Sequence, residues 1–205
     1  MFSGIVESKV ALLDWSPVDP SIPNLAARIK IQKPQDFNDL SVGDSIAVNG
    51  VCLTVEAFDN DLQFFLGAET LKVTGWSKSE LLKRPINLER SLAFNGRVHG
   101  HFVTGHVDGL GRVIHADYVG SNFQLRIEIQ RELSPLIWRK GSVAVNGVSL
   151  TVNAVEDLNS GATIFDVGLI PETLNKTNLG ELKSGDLVNI EVDQMARAMQ
   201  RKGEL

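Results

Sequence analysis

Hydrophobic and polar residues alternate along this chain in short runs that are separated by turn-forming residues. The clearest runs flank two Asn-Gly pairs, in SIAVNGVCLTV at positions 45–55 and in SVAVNGVSLTV at positions 142–152. Asn-Gly tolerates the positive φ angles of a type I′ turn, which connects the strands of a tight β-hairpin. The pattern therefore predicts two hairpins, and the short strands elsewhere predict an all-β barrel or sandwich.

The chain is an internal duplication. The two hairpin sequences are near copies, and other segments repeat in the same order: GIVES at 4–8 returns as GHVDG at 105–109, AETL at 68–71 as PETL at 171–174, and NLE at 87–89 as NIE at 189–191. The repeat predicts two domains, residues 1–96 and 97–193. In the tail, residues 194–205, the spacing of Met195 and Met199 predicts a short helix.

Each predicted hairpin has one apolar face and one face of small side chains. A two-residue turn fixes the register, so Ile46, Val48 and Leu53 share the core face. The opposite face, here called the small face, consists of Ser45, Ala47, Cys52 and Thr54 in the first hairpin and Ser142, Ala144, Ser149 and Thr151 in the second. This face is either the solvent side of an ordinary hairpin or a binding surface. Because it carries no charge, we expect it to lie against a flat ligand.

Composition narrows the classes of function. The chain has 205 residues, a formal net charge of −5 and a pI near 5.4, and this acidic balance argues against a nucleic-acid partner or a membrane surface. Cys52 is the only cysteine, which excludes an intramolecular disulfide and favours a reducing compartment. No carboxylate or thiol stands at ligand spacing near His99, His101 and His106, so we expect no metal site. We interpret the chain as a cytoplasmic protein that acts on a small molecule.

Five motifs together resemble the riboflavin synthase family: MFSGIVE at 1–7, NGVCLTV at 49–55, GHFVTGHVDG at 100–109, NGVSLTV at 146–152 and LIPETL at 169–174. The resemblance implies two six-stranded antiparallel Greek-key β-barrels and a short C-terminal helix that joins three subunits into a homotrimer. It implies a transferase without metal or redox cofactor that converts two molecules of 6,7-dimethyl-8-ribityllumazine into riboflavin and 5-amino-6-ribitylaminouracil by moving a four-carbon unit. It also raises lumazine synthase as a partner.

The same resemblance implies which residues bind the two lumazine rings. In the first half they are Gly4, Ile5, Val6, Ser45, Cys52, Leu53, Thr54, Phe65, Ala68, Glu69 and Thr70. In the second half they are Gly105, His106, Val107, Lys140, Ser149, Leu150, Thr151, Leu169, Ile170, Pro171, Glu172, Thr173, Leu174 and Asp193. Each half is thus expected to form one pocket, because the reaction consumes two copies of the same molecule.

The two halves differ at the positions that are expected to carry the chemistry. His106 stands where the first half has Ile5, and Ser149 stands where it has Cys52. A histidine exchanges protons near neutral pH, so His106 is predicted to move the protons of the lumazine 7-methyl group. Cys52 is predicted either to act as a nucleophile or proton donor at the neighbouring carbon or to shape the pocket as a small core residue. Ser149 is predicted to be a weaker hydrogen-bond partner.

A second class of function is open. The sequence also resembles lumazine- and flavin-binding antenna proteins of the same fold, which hold a chromophore without converting it. The presence of Cys52, His106 and Ser149 favours the enzyme. Two halves joined by a short connection would direct their ligand faces outward, so we also expect the working site to lie between the first barrel of one subunit and the second barrel of its neighbour.

Overall fold

Thirteen strands and four short α-helices make up the part of the chain that the computed structural model describes, residues 1–22 and 25–203. The first half contains β1 (Ser8–Val10), β2 (Leu12–Pro17), β3 (Ala27–Gln32), β4 (Ser45–Val48), β5 (Val51–Phe58), β6 (Asp61–Leu66), α1 (Ala68–Thr74), α2 (Lys78–Leu81) and β7 (Ile86–Arg90). The second half contains β8 (Gly109–Val119), β9 (Asn122–Ile129), β10 (Ser142–Val145), β11 (Val148–Asp157), β12 (Thr163–Leu169), α3 (Pro171–Lys176), β13 (Leu187–Val192) and α4 (Gln194–Gly203). Two 3₁₀ turns lie at Ser134–Leu136 and Asn178–Glu181.

The strands form two antiparallel sheets that curl into barrels. The second sheet is closed, in the order β10-β11-β12-β9-β8-β13. The first has the order β1-β7-β4-β5-β6-β3-β2, and its edge strands β1 and β2 are pieces of one bent strand, since only Ala11 separates them. The N–H of Gln32 donates to the carbonyl of Ala11 at 3.1 Å, so this sheet also wraps around its core. The predicted all-β fold with a duplicated barrel is confirmed.

Both Asn-Gly hairpins form in the predicted register. In β4–β5, Ser45 pairs with Thr54 and Ala47 with Cys52, and β10–β11 repeats this pairing. Both turn residues of each hairpin have positive φ, as a type I′ turn requires. The apolar face of each hairpin lies in the core of its own barrel, so the alternation of the sequence correctly separated the two faces.

Two short segments cross between the barrels. The first crossing segment, residues 2–6, precedes β1, and the second crossing segment, residues 103–107, precedes β8. The N–H of Phe2 donates to the carbonyl of Val103 at 2.7 Å, and the N–H of Val103 donates back to Phe2 at 3.1 Å. Val6 packs in the core of the second barrel and Val107 against the core of the first. Each crossing segment therefore completes the barrel of the opposite half.

The centre of each small face is covered by protein. Ala47 and Ala144 are 3% and 1% exposed, and they pack with Phe2 and Val103 in one apolar cluster beside Cys52. The expectation that the small face lies against a flat ligand is therefore wrong at Ala47 and Ala144. The physical reason is that small side chains permit close approach by any flat surface, and here the crossing segments and the opposite hairpin provide it.

The turns of the two hairpins meet each other. A Cβ added to Gly50 would lie 2.6 Å from the backbone nitrogen of Gly147, and one added to Gly147 would lie 2.7 Å from that of Gly50. Asparagine side chains hold this contact, since Asn87 Nδ2 donates to the carbonyl of Asn146 at 3.0 Å and the equivalent amide of Asn189 donates to the first turn at 2.8 Å. The barrels are thus fixed against each other at both turns.

The tail forms the predicted helix. It is α4, and residues 204 and 205 of the predicted tail lie outside the described residues. Arg197 of this helix pairs with Asp108 at the start of the second barrel. Met195 and Met199 are 65% and 72% exposed, so the helix offers an apolar surface. Among the helices that the structure describes, none combines the length and apolar character needed to cross a membrane.

Candidate functional site

A pocket of about 240 Å³ lies beside the first hairpin. Strand β5 supplies Cys52, helix α1 supplies Glu69 and Thr70, and the second crossing segment supplies His106. The N–H of Cys52 donates to the carbonyl of Gly105 at 2.8 Å, which fixes the crossing segment at the edge of the hairpin. We call this the first pocket, and its lining is Val51, Cys52, Glu69, Thr70, Val73, Thr74, Gly105, His106 and Val107.

The equivalent position on the second barrel, here called the second site, is built around Ser149. Its N–H donates to the carbonyl of Gly4 at 2.8 Å, so the first crossing segment lies on β11 as the second lies on β5. Ser149 Oγ is hydrogen-bonded to His101 Nδ1 at 2.7 Å. Ile5, the equivalent of His106, follows and is 44% exposed. The second site therefore presents an aliphatic side chain where the first pocket presents an imidazole.

The predicted grouping of the crossing segments is wrong. We expected residues 4–6 beside Cys52 and residues 105–107 beside Ser149. The structure places residues 105–107 with Cys52 in the first pocket, and it places Gly4 against Ser149. The reason is that the chain crosses to the opposite barrel before β1 and before β8. Cys52 and His106, which were predicted for different pockets, consequently lie in the same one.

The other residues implied by the resemblance divide into two groups. The side chains of Val6, Leu53, Leu150 and Leu169 are buried in the barrel cores, and Leu174 packs against the second core. The four buried residues can offer only backbone atoms to a ligand, whereas Leu174 is half-buried. The residues that keep exposed or half-buried side chains are Ser45, Thr54, Phe65, Ala68, Thr151, Ile170, Pro171, Glu172, Thr173 and Asp193. Helix α3 carries Glu172 and Thr173 where α1 carries Glu69 and Thr70, so the repeat gives the second site a matching helix.

Lys140 has an unusual backbone conformation for a residue with a side chain. Its φ is 69°, and the equivalent residue of the first half is Gly43, with a φ of 98°. The N–H groups of both residues donate to the hairpin strand that follows, Gly43 to Val55 at 2.9 Å and Lys140 to Val152 at 2.8 Å. A left-handed residue other than glycine costs about 1–2 kcal/mol, and such strain concentrates at functional sites. The exposed Lys140 therefore stays a candidate ligand contact.

His101 is a site residue that sequence reasoning missed. Burial lowers the pKa of His101 below its ordinary 6.5, and the charge of Asp193 opposes this shift. At neutral pH the neutral imidazole can accept a hydrogen bond from the hydroxyl of Ser149 through Nδ1. Its Nε2 is buried and has no hydrogen-bond partner among the described residues. The repeat gave no signal for this residue, because His101 lies before the first pair of matching segments, GIVES and GHVDG.

Two buried carboxylates hold the crossing segments. Glu89 on β7 accepts hydrogen bonds from the N–H of Ser3 at 2.7 Å, from its hydroxyl at 3.0 Å and from the N–H of Gly4 at 3.0 Å. Glu191 on β13 accepts hydrogen bonds from the N–H of Thr104 at 2.7 Å, from its hydroxyl at 2.8 Å and from the N–H of Gly105 at 2.9 Å. The sequence carried a signal for both residues, because the single carboxylate of each strand stands at the same place in the repeated segments NLE and NIE.

The pKa of Glu89 makes stability depend on pH. Burial raises this pKa from the ordinary 4.5 to about 7, against the opposing hydrogen bonds from Ser3 and Gly4. Between these values the folded protein binds more protons than the unfolded chain, so the free energy of unfolding falls as the pH rises, by at most about 1.4 kcal/mol per pH unit from this group. We expect Glu89→Gln to lose less stability than the unsubstituted protein between pH 5 and 7 in urea unfolding. An equally steep loss in the variant would contradict this assignment.

Comparison with known proteins identifies the family. The chain matches the lumazine binding domain family twice, over residues 3–91 and 104–193. It is 38% identical to the riboflavin synthase of Actinobacillus pleuropneumoniae, over 98% of this chain and 89% of that protein, and 39% identical to that of Brucella abortus, over 96% and 95%. Its fold is similar to the crystal structure of LumP complexed with riboflavin, with a TM-score of 0.78 and 24% identity over 94% of this chain and 99% of that one. The sequence motifs, the duplicated barrel and these relatives agree, and the chain belongs to the riboflavin synthase family.

Proposed function

We propose that the protein is a riboflavin synthase, which converts two molecules of 6,7-dimethyl-8-ribityllumazine into riboflavin and 5-amino-6-ribitylaminouracil. One lumazine gives a four-carbon unit to the other, so the reaction needs two sites for the same molecule. The two barrels supply such sites from equivalent parts: a hairpin, a short helix and a crossing segment. The riboflavin synthases among its relatives support the same reaction.

The observation that carries this proposal is the first pocket, which brings Cys52 and His106 together beside one space of about 240 Å³. We assign His106 as the base that takes a proton from the 7-methyl group of a bound lumazine. We assign Cys52 to the neighbouring ring carbon, as nucleophile or proton donor. Glu69 and Thr70 face the same space and are suited to the polar groups of the ligand.

The second site would hold the other lumazine in a different environment. Ile5 offers no proton acceptor there, and the hydrogen-bonded pair of Ser149 and His101 replaces the thiol. We assign this pair to orienting the second ring. This difference gives the two identical molecules different roles, donor and acceptor. Holding the two rings in register can lower the activation free energy of the reaction by up to roughly 7–11 kcal/mol.

We also propose that the first pocket of one subunit faces the second site of its neighbour in a homotrimer. Phe2, Val103, Ala47 and Ala144 form an apolar cluster between the two hairpins of one chain. This cluster leaves no room for two rings to stack inside a single chain. The exposed methionines of α4 offer a surface through which subunits can associate.

Further expectations from the sequence belong to the same proposal. We divide the chain into a first ligand-binding barrel, residues 1–96, a second one, residues 97–193, and an oligomerisation tail, residues 194–205. We place the protein in the cytoplasm, on the argument from its lone cysteine, and we keep lumazine synthase as a candidate partner. The assigned chemistry uses only side chains and the two substrates.

Incubation of the purified protein with 6,7-dimethyl-8-ribityllumazine tests the proposal. We expect riboflavin absorbance to increase, with one molecule of the uracil product formed for each riboflavin. The His106→Ala variant should form riboflavin at least about 100-fold more slowly. The competing function is a chromophore-holding antenna protein, which would retain fluorescent lumazine and form no riboflavin. That result with folded protein would overturn the assignment as an enzyme.

A further inference from the structure

Glu89 and Glu191 occupy equivalent positions on the last strand of each barrel, and both are nearly fully buried. In the sheets, Glu89 is the partner of Ala47 and Glu191 is the partner of Ala144. Side chains of directly paired residues lie on the same face of a sheet. Both carboxylates therefore leave the barrels on the small faces, where the crossing segments lie, and not toward the cores.

Each carboxylate uses both of its oxygens on one crossing segment. Glu191 Oε1 accepts two hydrogen bonds from Thr104, and Oε2 accepts one from Gly105. Glu89 makes the same three contacts to Ser3 and Gly4. The ionised carboxylate is suited to this task because it only accepts, whereas an amide would direct an N–H₂ group at backbone N–H donors.

The segment that each carboxylate holds then contacts the hairpin of the other barrel. Glu191 belongs to the second barrel and holds Gly105, whose carbonyl accepts a hydrogen bond from the N–H of Cys52 in the first barrel. Glu89 belongs to the first barrel and holds Gly4, whose carbonyl accepts a hydrogen bond from the N–H of Ser149 in the second barrel. The next residue along each segment is His106 or Ile5. Each barrel thus anchors part of the site that lies on its partner barrel.

We propose that Glu89 and Glu191 are positioning residues that act crosswise: Glu191 sets the position of His106 over Cys52 in the first pocket, and Glu89 sets Ile5 over Ser149 in the second site. Neither carboxylate touches the reacting atoms. The consequence for catalysis rests on the proposed riboflavin synthase function. The crosswise anchoring itself does not, so it can be tested without substrate.

Cys52 provides that test because it is the only cysteine and lies directly beneath the second crossing segment. A Cβ on Gly105 would lie 2.5 Å from the Cβ of Cys52. Release of this segment should expose the thiol to a reagent such as dithiobisnitrobenzoate. We expect Glu191→Gln to raise the rate of thiol modification by roughly fivefold or more, and Glu89→Gln to leave it within about twofold of the unsubstituted protein. Both variants should lower kcat/KM for riboflavin formation about tenfold or more.

Each glutamine variant is the matched control of the other, since both remove a buried carboxylate from an equivalent strand. Equal thiol rates in the two variants, whether both raised or both unchanged, would overturn the crosswise assignment. If a glutamine variant does not fold, Ser3→Ala removes one hydrogen bond to Glu89, and Thr104→Val removes one to Glu191 together with the bond that the Thr104 hydroxyl accepts from the N–H of His106. Only Thr104→Val should raise the thiol rate. If the protein forms no riboflavin but the variants show this difference in thiol modification rate, the proposed function is refuted and the crosswise anchoring is supported.

Discussion

Two inactive variants should regain activity when their subunits are mixed. The first, His106→Ala, damages the first pocket, and the second, which carries both His101→Ala and Ser149→Ala, damages the second site. If working sites form between subunits, an intact first pocket from one variant can face an intact second site from the other. Riboflavin formation should then rise far above the sum of the two proteins measured separately.

The size of the recovery follows from the assembly. In a randomly mixed trimer, each of the two neighbours at a contact is either variant with equal probability. About a quarter of the contacts therefore pair an intact first pocket with an intact second site. We therefore expect about a quarter of the activity of the unsubstituted protein after complete exchange. Mild denaturant can drive the exchange, native mass spectrometry can verify it, and riboflavin absorbance measures the outcome. A mixture that stays inactive despite verified exchange would place the working site within one chain.

Mixing Cys52→Ala with His106→Ala gives the matched control. Sequence reasoning assigned these residues to different pockets, and on that view the pair would complement. The structure places both in the first pocket, so no contact in the mixed assembly can contain an intact first pocket. This mixture should stay inactive. Recovery here would contradict the grouping of His106 with Cys52.

The hairpins could be predicted because everything that determines them is local. Asn49 and Gly50 select the turn, and a two-residue turn leaves one register, so the partner of Cys52 follows from the sequence. The cover of the small face does not follow. Ala47 is equally compatible with solvent, a ligand or another hairpin, because a small side chain permits close approach without specifying what approaches.

The crossing of the two segments could not be predicted from a duplicated sequence. Gly4 and Gly105 stand at equivalent positions, so packing each on its own hairpin or on the other one satisfies the same local pattern. Only the path of the chain decides between these arrangements. The repeated carboxylates Glu89 and Glu191 were visible in the sequence, but their role depends on this path and could be assigned only from the structure.

Gly105→Ala should be the most damaging single-methyl change in the first pocket. The added Cβ would lie 2.7 Å from the backbone nitrogen and 2.9 Å from the Cα of Cys52, at a φ of +81°. Cys52 lies in β5 between Val51 and Leu53, whose side chains are buried in the core of the first barrel, so its backbone cannot move aside cheaply. We expect a loss of about 3 kcal/mol or more in the free energy of unfolding from the clash and the left-handed backbone together. We also expect riboflavin formation to fall about 100-fold, because His106 follows directly and would be displaced.

Gly120→Ala separates the clash from the backbone cost. Gly120 has a φ of +64° but nothing within 4 Å of its added Cβ, so this variant should lose only about 1–2 kcal/mol and keep its activity. Gly4→Ala would place its Cβ 2.6 Å from that of Ser149 and should behave like Gly105→Ala. Urea unfolding and riboflavin formation measured on all three variants give the comparison. Gly105→Ala could instead be as stable and as active as Gly120→Ala. That result would show that the second crossing segment is not held against Cys52, and it would contradict the assignment of His106 to the first pocket.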